Sequence, residues 1–170
     1  MNASFPILTT ERLTLRRLSK NDSREILQLR SDAETNKFLD RKPSKTLEDA
    51  LHFINGIVEN ENEDLFYWAI TKTGDDRLIG TICLFDFRRD LNKCEIGYEL
   101  LTEYTGQGIM SEVANKVITY AFETLEIKAI DALTHKDNQN STKLLLKLNF
   151  TPLENAAEDQ PDLILFRLTR

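Results

Sequence analysis

Two glycines one residue apart mark the stretch of this chain best suited to bind a ligand. Glu103-Tyr104-Thr105-Gly106-Gln107-Gly108-Ile109-Met110 joins a segment that reads as a strand to one that reads as a helix. Gly106 and Gly108 lack a Cβ, so the main chain there can take positive φ and approach a ligand closely. The first turn of the following helix offers unpaired N–H groups and the positive end of its dipole, which together form an anion site with a phosphate as its natural guest. The plainer reading is that Gly-x-Gly only lets the chain turn. A nucleoside-triphosphate loop is excluded, because no Lys-Ser/Thr follows the glycines. A dinucleotide fingerprint fails as well, because Ser111 stands where its third glycine belongs and the loop follows antiparallel strands.

The elements that position this loop are legible in the hydropathy period. Met110, Val113, Ala114, Val117, Ile118, Ala121, Phe122 and Leu125 recur at steps of three and four, which predicts an amphipathic helix over 110–125. Glu112, Asn115, Lys116, Thr119 and Glu123 take its other face. Ahead of it, Phe66, Trp68 and Ile70 share a strand face, and Thr73-Gly74-Asp75-Asp76 turns into a strand over 78–87. A polar turn over 88–92 leads to a third strand over 93–101. Leu13 and Leu15 alternating with Thr14 and Arg16 predict an opening strand over 12–18. Ser19 and Asn21 are candidate caps for a helix carrying Ile26, Leu27 and Leu29, and Thr46 caps a second helix over 46–59. A strand over 128–134, a helix over 140–148 and a strand over 162–168 complete the order. The long helix between 93–101 and 128–134 suits a parallel crossover. The class is therefore mixed α/β, with antiparallel strands followed by a βαβ unit. No repeat, low-complexity tract or Pro/Gly-rich linker interrupts residues 1–170, which read as one domain.

Twenty-two Lys plus Arg against 28 Asp plus Glu leave a formal net charge of −6, which argues against a nucleic-acid partner held by phosphate attraction. Residues 1–10 lack the basic start and apolar core of a signal peptide, and no apolar run approaches the roughly 20 residues of a membrane span. A cytoplasmic protein with no membrane partner is expected. Cys83 and Cys94 form no CxxC pair and flank no histidine cluster, so neither a disulfide framework nor a metal site is expected.

The stretch Glu-Tyr-Thr-Gly-Gln-Gly-Ile-Met-Ser-Glu from Glu103 to Glu112 resembles the pyrophosphate loop of the GCN5-related N-acetyltransferase (GNAT) superfamily. Thr10-Glu11-Arg12-Leu13-Thr14-Leu15-Arg16 is similar to the opening strand of its RimJ/RimL-type branch, which acetylates ribosomal-protein amino termini. Trp68-Ala69-Ile70, Ile79-Gly80 and Cys94-Glu95-Ile96-Gly97-Tyr98 resemble its central strands, and Asn138-Gln139-Asn140-Ser141 with Leu148-Asn149-Phe150 resembles its Asn-x-x-Ser and Leu-Gly-Phe pair. The resemblance spans nearly the whole chain. It implies the GNAT fold, with acetyl-CoA as co-substrate in a cleft where the strands carrying Lys93 and Lys128 splay apart. It implies that main chain at Leu100, Leu101 and Thr102 pairs with the pantetheine amides, and that Gly106, Gln107, Gly108, Ile109 and Met110 enclose the pyrophosphate. Asn138 is a candidate pantetheine contact, or simply ends its strand. Glu103 stands where many relatives carry Gln or Arg and Thr105 replaces a bulkier or basic residue, which shifts phosphate binding toward main-chain N–H groups. Asn149 replaces the usual Gly, a change that asparagine tolerates in the left-handed region.

Acetyl transfer to an amine needs a neutral nucleophile, a polarised thioester carbonyl and a stabilised thiolate. An α-amine of pKa near ~8 is about one-tenth neutral at pH 7, whereas a lysine near ~10.4 needs roughly 3 kcal/mol more help. Glu95 is the candidate base; it shares a strand face with Gly97 and Glu99, and the resemblance implies a base at this strand position. Its other reading is a surface carboxylate paired with Lys93 or Arg88. Ser141 is the candidate acid or thiol partner, because Leu145 occupies the place of the helix tyrosine that many relatives use. Its other reading is a helix cap. His135 reads as a solvated turn residue and His52 as partly buried packing. Cys83, Cys94, Phe66, Trp68 and the Met110 side chain read as core. The acidic run 59–64 would suit a cationic acceptor. The expected activity is acetyl-CoA-dependent N-acetylation by direct attack, with a protein N-terminal α-amine as first acceptor. A small amine such as an aminoglycoside or polyamine, or a non-catalytic CoA-binding sensor, are the other readings. Either a monomer or a homodimer is expected.

Overall fold

The computed structural model describes residues 4–60, 63–154 and 159–170, and each element below lies within them. The alternating segments form strands β1 (Leu8–Thr9), β2 (Leu13–Arg17), β3 (Phe66–Lys72), β4 (Asp75–Arg88), β5 (Lys93–Leu100), β6 (Ala129–His135), β7 (Thr151–Pro152) and β8 (Leu163–Thr169). They join one mixed sheet in the order β1-β2-β3-β4-β5-β6-β8-β7. Gly74, at φ 87°, supplies the left-handed turn between β3 and β4. β4 is longer than its hydrophobic run predicts, because the turn residue Asp75 already pairs with Lys72 at the end of β3. Where β4 nears its end the ladder with β5 shifts between Phe85 and Arg88, and Asp86 takes φ 48°. This is a bulge, which bends a strand and re-aims its side chains.

Helices cover both faces of the sheet. α4 (Ile109–Glu123) buries Ile109, Met110, Val113, Ala114, Val117, Ile118 and Ala121; of the stripe that the 3.6-residue period predicts, Phe122 is only partly buried and Leu125 lies past the end of the helix. That stripe packs in one cluster with Trp68, Ile70, Ile82, Leu84, Cys94, Ile96 and Ile130. At about 1.5–3 kcal/mol for each fully buried large aliphatic side chain, this face is the main attachment of the helix. Trp68 is fully buried, and its indole N–H donates to the Pro6 carbonyl at 2.8 Å. On the opposite face, α1 (Ser23–Ser31) and α3 (Leu47–Val58) set Ile26, Leu29, Ala50 and Ile54 against Ala69, Leu78 and Leu101. Thr46 caps α3 in a reciprocal box with Asp49, as its position predicts.

Asn21 is not a cap: it lies inside a short 3-10 turn whose cap is Ser19, and Asp22 stands at the start of α1. The Ser19 hydroxyl accepts the Asn21 N–H, so the asparagine is the capped residue and the serine the cap. α2 (Ala33–Asn36), β1 and β7 were not predicted, being too short to display a period. His52 is exposed on α3, because the buried stripe of that helix runs through Ala50 and Ile54. Residues 61–62 of the acidic run lie outside the described residues; within the remainder, Asp64 pairs with Arg89 at 2.7 Å.

All neighbouring strands are antiparallel except β5 and β6. Their parallel ladder holds only Lys93↔Ala129, Cys94↔Ile130 and Glu95↔Asp131, although each strand continues for several residues. β5 stays paired with β4 out to Leu100, and β6 with β8 out to His135. The sheet therefore opens beyond Glu95 and Asp131, with α4 rising from the loop at the end of β5.

Candidate active site

The Gly-x-Gly loop is built for open amides. Gly106 and Gly108 both sit in the left-handed region, at φ 74° and 73°. Gly108 stands at the N-cap of α4, and no side chain caps that helix. Arg12, in the segment between β1 and β2, donates from Nη2 to the Gln107 carbonyl at 2.8 Å. Because a trans peptide is planar, the Gly108 N–H then points away from Arg12. Arg12 Nε also binds Glu112 at 2.6 Å, and the Thr10 hydroxyl donates to the same carboxylate at 2.5 Å. Burial opposes ionisation there, but these two donors and the Arg12 charge hold the Glu112 carboxyl below its ordinary 4.5. The guanidinium is thus engaged by Glu112 and a carbonyl, and the anion-attracting groups of the loop are the helix amides themselves. Glu103 lies 3.4 Å from the Gln28 amide nitrogen and 3.9 Å from Arg77.

The main chain leading into the loop divides its duties. Leu101 donates its N–H to Ile79 and accepts from Tyr104, each at 2.9 Å, so both of its main-chain groups are engaged within the protein. The Thr102 carbonyl accepts the Thr105 N–H at 3.2 Å and its hydroxyl at 2.7 Å. In an antiparallel ladder the hydrogen-bonding direction alternates. With Leu101 facing β4, the N–H and C=O of Leu100 and Tyr98 face β6 across the opened gap. Of the trio expected to meet pantetheine, Leu100 is the residue with free main chain toward the cleft.

Glu95 stands at the apex, opposite Asp131 in the last rung of the parallel ladder. Lys93 engages Asp131 at 3.0 Å rather than Glu95, and Arg167 grips the same Asp131 through two bonds of 2.6 and 2.9 Å. Burial above all, then the charges of Asp86 and Asp131 and a hydrogen bond with Asp86, push the Glu95 carboxyl above its ordinary 4.5, against the pull of Lys93. Gly97, two residues on, leaves little room on this face: a Cβ there would lie 3.3 Å from Cys83 Sγ. Glu99 follows and forms an ion pair with Arg41. The neighbouring Phe38 stacks on His135 at 5.1 Å, so residues 38–41 reach both β5 and β6 and bridge the gap on the α1 side. His135 is therefore half-buried against an aromatic ring rather than solvated. Its Nδ1 accepts the Asp137 N–H at 3.1 Å.

On the α4 side, α5 (Gln139–Lys147) begins beside the same gap. Its cap is Asn138, whose side-chain oxygen accepts the Ser141 N–H at 3.2 Å. Ser141 is thus not the cap, and its hydroxyl is turned to Tyr98 at 2.9 Å. Leu145 is 1% exposed and apolar, so it offers no hydroxyl to the cleft. Asn149 takes φ 67° just after the helix. Cys83 and Cys94 are free thiols, and burial pushes each up to about 12, outside the range of a nucleophile at neutral pH. Among the described residues, no group of three His, Cys, Asp or Glu is placed to hold a metal, and no helix is long and apolar enough to cross a membrane. The roles of Thr10, Arg12, Glu112 and Tyr98 were missed in the sequence; the only signal was that polar residues stood beside segments already singled out.

A sheet parted between two parallel strands, with an uncapped helix at the mouth of the gap, makes a mixed α/β cleft suited to an anionic ligand. The family described as acetyltransferase (GNAT) domain matches residues 12–151, and the chain belongs to this family. It is 33% identical over 147 residues to the uncharacterized N-acetyltransferase YoaA of Bacillus subtilis, covering 86% of this chain and 83% of that protein. The fold is similar to the ribosomal-protein-S5-alanine acetyltransferase of Vibrio fischeri, with a TM-score of 0.81, 23% identity and 96% of each chain covered. It is similar also to the microcin C7 self-immunity acetyltransferase MccE, solved with acetyl-CoA and AMP. There the TM-score is 0.78, the identity 20%, and the match covers 95% of this chain and 94% of that one. The chain is an N-acetyltransferase, as its sequence resemblance implies.

Proposed function

We propose that this N-acetyltransferase, a single domain over residues 1–170, takes acetyl-CoA as donor and a protein N-terminal α-amine as acceptor, by direct attack without a covalent enzyme intermediate. The observation that carries the donor is the uncapped first turn of α4 beside Leu100, whose β6-facing main chain lies beyond the last rung of the β5–β6 ladder. A diphosphate fits the amides of residues 106–110, and a pantetheine amide fits a strand edge left without its neighbour. Asn138 retains its Nδ2 donors for the same moiety after capping α5 with its oxygen. The names of the ribosomal-protein acetyltransferases with this fold support the acceptor. So does chemistry, since one carboxylate raised by burial suffices for an amine of pKa near ~8.

Glu95 is the base in this reading, reached directly or through one water, and Ser141 is the donor that meets the departing sulfur. Calorimetry with acetyl-CoA, followed by a thiol-release screen, tests the whole. The panel is peptides with free and blocked amino termini, a polyamine and an aminoglycoside. Release with free-terminus peptides and product mass at the α-nitrogen is the expected result. Turnover confined to small amines overturns the acceptor, and binding without any thiol release overturns catalysis in favour of a sensor.

Glu95→Gln should lower kcat/KM by about 100-fold at pH 7. The deficit shrinks above pH 8, where the amine loses its proton unaided. The wild-type profile should show two acidic inflections, the amine's near ~8 and a lower one above 4.5 from Glu95, and only the lower one should vanish in the variant. A loss of equal size at every pH would assign Glu95 a structural role instead.

A further inference from the structure

Tyr98 and Ser141 meet across the opening of the sheet. Tyr98 lies on β5 beyond the last rung of the parallel ladder, and Ser141 lies in the first turn of α5, which follows β6. Their hydroxyls are 2.9 Å apart. A serine in a helix commonly turns its hydroxyl back onto a carbonyl of the preceding turn, and here it reaches out of the helix to the phenol instead. Asn138 fixes the Ser141 main chain through its N–H, so the Tyr98 bond is what sets the remaining rotamer.

A serine hydroxyl has one proton and two lone pairs. When the Tyr98 phenol donates into the serine oxygen, the serine proton is released to point elsewhere, and the unpaired stretch between β5 and β6 lies alongside. Burial raises the phenol above its ordinary 10, so Tyr98 stays protonated and remains a donor throughout the working pH range.

We propose that Tyr98 is a positioning residue for acetyl transfer, holding the Ser141 hydroxyl as a donor aimed at the departing CoA sulfur. The proposal rests on the role given above to Ser141. As the acceptor nitrogen bonds to the acetyl carbon, the carbon–sulfur bond breaks and its electron pair goes to sulfur. The Ser141 O–H hydrogen-bonds the thiolate without leaving its oxygen, and the thiolate then takes a proton from solvent. The proton shed by the nitrogen passes to Glu95 or water, and Tyr98 keeps its own. A strand tyrosine acting through a helix serine thereby covers the position that Leu145 leaves apolar.

A double-mutant cycle tests this, with steady-state kinetics on acetyl-CoA and a free-terminus peptide. Ser141→Ala should lower kcat by roughly 10-fold, the worth of one hydrogen bond to a charged group. Tyr98→Phe keeps the ring in place and should lower kcat about 5-fold, with KM for acetyl-CoA within about twofold of wild type. The double variant should be no slower than Ser141→Ala, because Tyr98 has nothing left to position. Losses that multiply in the double variant assign Tyr98 an independent packing role and overturn the proposal, as does a Tyr98→Phe enzyme at wild-type rate. If Ser141→Ala itself turns over like wild type, the Ser141 assignment falls first and the proposal with it. A thermal melt of Tyr98→Phe within a few degrees of wild type shows that the kinetic change is not a loss of fold.

Discussion

Gly108→Val is expected to weaken acetyl-CoA binding by about two orders of magnitude, read as Kd by calorimetry and as KM in turnover. Gly108 sits at φ 73°, where a β-branched residue is strained by about 1–3 kcal/mol. The strain has two outlets. Holding the loop in place lowers global stability, and relaxing φ turns the amides of residues 108–110 out of register with the anion. The added side chain also occupies the surface over which a diphosphate would approach. A Cβ at residue 108 would lie 3.5 Å from the Arg12 guanidinium, ordinary contact, so the protein still accommodates the residue and the loss falls on the ligand. Gly74→Ala is the control, since its φ of 87° carries the same strain in the turn between β3 and β4, outside the loop, with nothing within 4 Å of the new Cβ. Wild-type affinity in Gly108→Val would show that the diphosphate binds somewhere else.

Asp131→Ala is expected to cost about 3–5 kcal/mol of stability, measured by urea unfolding at pH 7. Asp131 is 3% exposed and is the shared anion of Lys93 and Arg167, on strands β5 and β8 to either side of its own. Its removal leaves two cations facing each other at the point where the sheet begins to open. Burial disfavours the ionised carboxyl, but the bonds from Arg167 and Lys93 prevail and hold it below its ordinary 3.8. A depressed carboxyl contributes stability that is present above its unfolded pKa and lost as pH falls through its folded one. The difference between wild type and variant should therefore be full at pH 7 and close below about pH 3.8. The variant also removes a negative charge that raises Glu95, so its acidic kinetic limb should move to lower pH. An unchanged urea midpoint would mean that the three strands are joined by packing alone.

Much of the site was open to reading before any coordinates. Six of the eight residues chosen by period, Met110 to Ala121, are buried in α4, and the loop glycines take the left-handed φ that their lack of a Cβ permits. Asn149 takes the same left-handed region, which asparagine tolerates better than most residues. Less was legible where two polar residues competed for one task. Asn138 and Ser141 were each credible as caps of α5, and only the fold shows the asparagine capping while the serine turns to a strand 43 residues earlier. The ends of the sheet also escaped, since β1 and β7 hold two residues each and two residues display no alternation.

The sequence by itself determined the longer helices and strands, the core-facing side of most of them, and the left-handed bends at Gly106, Gly108 and Asn149. Those properties are set by residues a few positions apart, through side-chain period and φ preference. Tertiary structure alone decided that Arg12 holds Glu112 from 100 residues away, that Asp131 gathers Lys93 and Arg167, and that Glu95 shares its surroundings with Asp86. Each partnership depends on the register between strands and on how far two of them part, which exist only once the sheet has assembled.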